Sequence, residues 1–511
     1  MKQDLKLWTS IGLTVLLLSF SGLSLGINPA KAQDQKTLRV GLQALPPSLF
    51  NPYRNTGLPY VYTWSAVFDG LTSIDASGSL QPWLATSWER TDPVTWVIKL
   101  RDDVTFSNGK PMTAEAIVAT VNFLISDEAR SETVARMLRF LKSARVISSY
   151  TVELTTNRPT PLLPRFLPQL YVVEPDYFAE VGLEAFAKAP IATGPFIVDD
   201  IRPERITLRA YTDSWRPPLV ERMELLSLPE MSTRTMSVRA GSLDVAIGVG
   251  PDEVNAIVAD GGNKFSWRDA AIWSYHFIDG HHPAFADIRI REALNLAVDR
   301  QAIIDGLLDG ATIAATQPAP EVVYGFNPAL PPIPYDPDRA RALLIEAGYP
   351  DGFKFVIEAT AGSSANDSAV NLVVAQYLKA IGVEMEIQTV NVNQIIRNVV
   401  EGTWDVDAFG LHYNYEPSIE ALRALDTNSC LWPHPWYCRQ EVMPLIAEAE
   451  RELDPVRNLK LRQDVMAFYR NDWAALFMYQ APRFAATSAG VTGLEVVNNF
   501  ILFDRIALSA D

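Results

Sequence analysis

Cysteine and histidine are scarce. The 511-residue chain holds 2 Cys and 5 His, too few for a structural zinc array or an iron–sulfur protein. Basic residues are also short: 44 Lys and Arg against 60 Asp and Glu give a formal net charge of −16. A nucleic-acid binder needs a basic face to neutralise phosphates, so the balance argues against that class. Beyond the N-terminal region no apolar run is long enough to span a bilayer. Catalytic signatures are missing as well. There is no Gly-x-Gly-x-x-Gly at a strand–helix junction, no Walker A sequence, no His-Glu-x-x-His and no Gly-x-Ser-x-Gly. The adjacent pair His281-His282 would point to opposite faces of a strand, and with Pro283 it reads as a surface loop. The inventory points to binding rather than to an enzyme, with no cofactor and no resident metal.

What is present is material for a core. Apolar residues make up 48 % of the chain, with 22 Phe, 17 Tyr and 12 Trp, which excludes disorder for most of it. At about 150 residues per domain, the length predicts two to four domains.

Residues 1–32 read as an export signal. Lys2 and Lys6 start it, Leu7 to Ile27 is largely apolar, and Ala30-Lys31-Ala32 offers a small-x-small cleavage site. The alternative is a retained anchor, against which Gly22, Gly26 and Pro29 break the helix. No Cys follows the apolar run, so a lipoprotein anchor at this site is excluded and the expected location is periplasmic. In an oxidising compartment Cys430 and Cys438 are expected to pair. The rivals are free thiols or a soft metal site with His434.

Along the chain, apolar–polar alternation predicts a strand at 37–43, and further strands are expected at 95–100, 150–155, 274–278, 353–358, 384–389 and 405–410. Helical patterns follow Thr113, which stands at an N-cap position, and run as one long helix through IRIREALNLAVDRQAII. Another runs from Asp336 to Gly348, both placed for capping. Strands and helices alternate, so the class is α/β.

Several blocks then fall into a familiar order. LATSWERTDPVTWVIKLRDDVTFSNGKPMTAEAIVATVNF (84–123), ATGPF (192–196), AGSLDV (240–245), PAFADIRIREALNLAVDRQAI (283–303), YDPDRARALLIEAGYPDGF (335–353) and LIAEAERELDPVRNLKL (445–461) resemble the family 5 extracytoplasmic solute-binding proteins of ABC importers. The resemblance covers about residues 37–505. It implies a two-lobed periplasmic-binding-protein clamp with an extra small domain, its mixed β-sheets flanked by helices. Residues 33–76, 192–277 and 480–511 would form the discontinuous base domain of lobe I, 77–191 its small accessory domain, and 278–479 lobe II. The implied activity is capture of a solute by hinge closure and delivery to the transmembrane permease subunits, by a monomer. Peptide-like solutes rank first; opines and sugar conjugates come second and nickel chelates third. A secreted hydrolase is the reading from a different class.

Loops and strand ends that would face the cleft nominate ligand contacts. They are Tyr53, Thr193, Gly194, Tyr275 and His276, and, after a strand of lobe II, His412, Tyr413 and Asn414. Peptide-binding members of the family carry an aspartate near this last stretch, before Asp-Pro. Here the stretch reads GLHYNYEP (410–417), with Glu416-Pro417 in place of Asp-Pro and no carboxylate just before it. A buried ammonium without a counter-charge is costly, so this departure weighs against peptides with a free N-terminus.

Overall fold

The computed structural model describes residues 37–54, 57–361 and 364–509. The expected signal at 1–32 lies outside the described residues. In chain order the strands that build the two larger sheets and one hairpin are β1 Thr37–Leu42, β2 Thr72–Ile74, β3 Leu80–Pro82, β4 Ala85–Asp92, β5 Thr95–Leu100, β6 Leu141–Ser148 and β7 Thr151–Thr156. They continue as β8 Phe196–Arg202, β9 Arg205–Ala210, β10 Arg222–Ser227, β11 Val245–Ile247, β12 Asn263–Phe277, β13 Phe353–Thr360, β14 Val383–Val390, β15 Ala408–Asn414 and β16 Ala475–Thr487.

Among the described residues one ten-stranded sheet runs β14-β13-β15-β12-β16-β11-β1-β10-β9-β8. Parallel pairs (β1 with β10 and β11, β13 with β14 and β15) mix with antiparallel ones, and helices cover the sheet, as an α/β class requires. The long neighbours β12 and β16 pass through its middle. To one side lie β11, β1, β10, β9 and β8; to the other β15, β13 and β14. The hydrophobic cores divide the same way. One gathers Leu38, Val40, Leu208, Leu225 and Val245 with Ala485, Ile501 and Phe503. Others gather Phe277, Leu294, Leu343, Ile357 and Val374, or Tyr413, Val465 and Phe477. Two lobes result, joined by two crossing strands.

A four-stranded antiparallel sheet, β4-β5-β7-β6, sits with the first lobe's core. β5 and β7 alternate buried and partly exposed residues, so one face is packed. The helix Ala114–Leu124 lays Ala114, Ile117, Val121 and Leu124 on it, at helical spacing.

Three expectations need correction. Thr113 occupies the N-cap position without a side-chain capping bond; its hydroxyl instead bonds the Glu115 carboxylate. The single long helix is two, Ile288–Leu296 and Arg300–Leu307, because Asp299 turns its carboxylate onto the Ala302 amide at 3.0 Å and starts a new helix. The strand expected at 405–410 begins at Ala408 and runs on to Asn414. Asp407 flanks that start: its carboxylate accepts from the Val356 amide at 2.8 Å and its own N–H donates to the Val356 carbonyl at 2.9 Å. Residues 412–414 therefore form a strand end, not a loop. Asp336 and Gly348 do cap their helix: Asp336 accepts from the Arg339 amide at 2.9 Å, and Gly348 has φ +92°.

Candidate functional site

The crossing strands carry the site. The β12–β16 ladder is interrupted between Arg268/Pro482 and Ile272/Gln480. Pro482 has no N–H to donate, so the ladder breaks beside it. Asp269 sits in the gap, 4 % exposed. Arg483 Nε donates to Asp269 Oδ2 at 2.6 Å, and Gln480 Nε2 donates to the Asp269 carbonyl at 2.9 Å.

Both lobes add to this pair. Glu416, just past the end of β15, is buried and accepts from the Asn499 side-chain amide. Its own N–H donates to Asn414 Oδ1 at 2.9 Å, an Asx turn that sets the strand exit. Tyr62, on the short helix Tyr60–Trp64, completes the group from the first lobe. Glu416 Oε1 and Asn499 Oδ1 are buried without a hydrogen-bond partner among the described residues.

Electrostatics follow from this crowding. Burial, then the neighbouring Asp269, raises the Glu416 carboxyl well above its usual range, against the opposing pull of Arg483. Burial also raises Asp269, with Arg483 again opposing. Burial works against the charge on Arg483, but Asp269, Tyr62 and Glu416 outweigh it and hold its proton on. The Tyr62 hydroxyl is raised by burial and by Asp269. The centre thus holds one firm ion pair beside a carboxyl that favours its neutral form.

A cavity of about 260 Å³ adjoins it. Its walls include Val61 and Pro417, each next in sequence to a member of the polar centre, with Ile74, Trp83, Tyr171 and Phe500. Apolar walls next to a few convergent polar groups are the usual make-up of a small-molecule site.

The nominated residues are placed differently. Tyr53 is fully buried, donates to the Tyr171 carbonyl at 3.1 Å, and packs on Phe123 and Phe178. Thr193 donates to Asp69 Oδ2 at 2.8 Å. Gly194 serves a close approach, since a Cβ there would stand 2.5 Å from the Val67 carbonyl group. Tyr275 is buried and donates to Asn371 Oδ1 at 2.6 Å. His276 stacks on Phe409 with its Nε2 3.2 Å from the Leu411 carbonyl. Tyr413 packs against His276 and Phe477. In these six, the side chain or turn is engaged in packing. His412 and Asn414 are the nominated pair nearest the centre. His412 is half-buried edge-on to Trp273, its imidazole pushed down to about 3 by burial and by Arg483. Asn414 is exposed and spends its Oδ1 on the Glu416 turn.

Cys430 and Cys438 form a disulfide, with sulfurs 2.06 Å apart. The loop packs as well as closes: the Trp432 indole donates to the Val399 carbonyl at 2.7 Å, and Trp436 is buried edge-on to His276 and Phe409.

Sequence reasoning named Glu416 only as a departure, and it missed Tyr62, Asp269, Arg483 and Asn499. The one available signal was charge inside apolar strands, Asp269 before AAIW and Arg483 within YQAPRFAA.

Comparison with known proteins agrees with this fold. The chain is 29 % identical over 342 residues to the nickel-binding periplasmic protein of Escherichia coli (strain K12), covering 63 % of this chain and 62 % of that protein, less than two thirds of its length. It is 24 % identical over 454 residues to the glutathione-binding protein GsiB of Shigella flexneri serotype 5b (strain 8401), covering 84 % and 86 %. The solved ABC transporter substrate binding protein CtaP of Listeria monocytogenes superposes with a TM-score of 0.83 at 18 % identity, covering 92 % of this chain and 99 % of that one. That likeness fixes the fold as the two-lobed α/β clamp of binding proteins. The family model for bacterial extracellular solute-binding proteins, family 5 middle, matches residues 79–430, and the chain belongs to that family.

Proposed function

We propose that this chain is the solute-binding component of an ABC importer. It captures a peptide-like solute between its lobes, closes by bending at β12 and β16, and delivers the solute to the permease subunits. The observation that carries this reading is the polar centre at the crossing. Tyr62 and Asn499 come from one lobe, Glu416 from the other, and Asp269 and Arg483 from the crossing strands themselves. A solute seated there touches both lobes at once, and contacts made only in the closed form drive closure.

Glu416 Oε1 and Asn499 Oδ1 offer unused polar atoms, and the neighbouring cavity offers apolar walls. A short peptide or modified peptide presents that mixture, and the likeness to a glutathione-binding protein supports it. Export with cleavage after Ala32, residence in the periplasm, a monomeric state, absence of catalysis and lobe boundaries near residues 76, 192, 278 and 479 belong to the same proposal. A second reading, a metal chelate, is favoured by His412 beside Arg483 and by the nickel-binding relative.

The test is mass spectrometry of whatever denaturation releases from protein purified from its native host. Release of a peptide-like compound is expected. A released chelate would move the reading to the second form. An empty protein that gains thermal stability with neither a mixed peptide library nor a set of nickel chelates would sink both.

A further inference from the structure

We infer that Arg90, Arg158 and Arg165 form a latch between the lobes that sets how far the clamp stays closed. The inference rests on the hinge-closure reading above. All three arginines lie in the segment that holds the small antiparallel sheet, whose core is shared with β1 and β10. Each reaches a residue of the second lobe. Arg158 Nη1 pairs with Glu450 Oε2 at 3.0 Å. Arg90 Nη2 donates to the Leu453 carbonyl at 3.2 Å.

Arg165 binds three partners. Its Nη1 donates to the Ile419 carbonyl at 3.2 Å, its Nη2 donates to the Gly78 carbonyl at 2.9 Å, and its guanidinium lies 5.0 Å from the Tyr324 ring centroid. Gly78 is the tip of the β2–β3 hairpin. It has φ +80°, and a Cβ there would fall 1.8 Å from the Val322 carbonyl oxygen. The hairpin tip is therefore seated against the second lobe without clearance. Ile74 and Leu80 of the same hairpin pack into the second lobe's core. Arg165 thus ties hairpin tip, small-domain segment and second lobe together at one point.

None of the three arginines lines the cavity at the crossing. They are positioning residues, acting on solute through the closed population. Contacts made only when the lobes meet favour the closed state, and the apparent affinity of a clamp scales with the fraction that is competent to bind. The Arg158–Glu450 pair is partly exposed, so salt weakens it.

Small-angle scattering and hydrogen–deuterium exchange on the solute-free full chain test this. Arg165→Gln and Arg158→Glu are expected to enlarge the radius of gyration and to speed exchange in residues 72–82. The double variant Arg158→Glu with Glu450→Arg is expected to restore the compact dimensions, a rescue that a purely structural role does not predict. Arg158 is partly exposed, so its variants keep the test alive if Arg165→Gln fails to fold. Unchanged dimensions and exchange in the folded single variants would overturn the latch. Solute release by the wild type with compact variants leaves solute capture standing and removes the latch. Expanded variants with no solute released by the wild type do the reverse.

Discussion

Asp69 and Asp269 are both buried carboxylates paired with arginine, and their surroundings differ. Asp69 lies within the first lobe and accepts four hydrogen bonds, with one further ion-pair contact. Arg216 approaches through Nε at 3.0 Å and Nη2 at 2.9 Å, Thr193 at 2.8 Å, and the Trp83 and Trp215 indoles at 2.8 and 3.2 Å. Arg216 in turn reaches Asp504 at 2.7 Å and the Ser65 carbonyl at 3.2 Å. Asp269 lies between lobes, is held by Arg483, and shares its surroundings with a Glu416 oxygen and an Asn499 oxygen that lack partners. A saturated buried pair fixes one structure. A pair with unpaired polar atoms beside it can accept a ligand's donors without breaking an existing bond.

The contrast can be broken most directly at Asp69. Asp69→Ala leaves Arg216 buried with one carboxylate fewer and frees two indoles, so a loss of about 3–5 kcal/mol in urea unfolding is expected. A loss under about 1 kcal/mol would remove the basis for calling it the structural member.

Next in size is the acid sensitivity of the imidazoles behind the crossing. Burial pushes His276 down to about 3. The unfolded imidazole takes up a proton near its ordinary value of 6.5 while the folded one does not. Stability from this group is therefore present above that value and is lost as pH falls toward about 3, at ~1.4 kcal/mol per pH unit. His276→Gln should flatten the acid limb of a stability–pH curve by that slope; an unaltered slope contradicts the assignment.

Asp269→Asn sharpens the comparison. Arg483 keeps some contact with solvent, so the expected cost is only about 1 kcal/mol at neutral pH, with a larger effect on solute retention. A cost equal to that of Asp69→Ala would make the two centres alike.

The smallest stability effect is expected from Glu416→Gln. A raised carboxyl holds its proton in the folded state where the unfolded chain has lost it. Its contribution is full below the ordinary value of 4.5 and is lost as pH rises through the folded value. Glutamine mimics the protonated acid, so near that lower limit the variant should lie within about 0.5 kcal/mol of wild type. It should then gain on wild type as pH rises. Parallel curves would show that Glu416 is charged in the folded protein.

Much of the fold was legible, for local reasons. Period-2 runs such as TLRVGL and TWVIKL, the Asp336 cap and the Gly348 stop are written in neighbouring residues. The disulfide followed from spacing and compartment. The crossing strands were legible only in part. β12 extends 15 residues, but its first part, NKFSWRD, alternates with charges and reads as a loop. β16 extends 13 residues, and Pro482 and Arg483 disguise its second half. The site was less legible still. Tyr62, Asp269, Glu416, Arg483 and Asn499 are scattered over the chain, and no local pattern reports that they meet. Tyr275 and His276 were nominated for their place on a crossing strand. They proved to be core because that strand is buried on both faces there.

One consequence concerns the order in which the chain is made. β1 takes its partners from residues 222–227 and 245–247, and the core around it is completed by Ala485, Ile501, Phe503 and Ile506. β1 therefore cannot finish its own lobe until residues 485–506 have been synthesised. Long-range closure of this kind slows folding. A lobe whose central strand waits for partners this far along the chain stays open longer than one that closes on its neighbours in sequence.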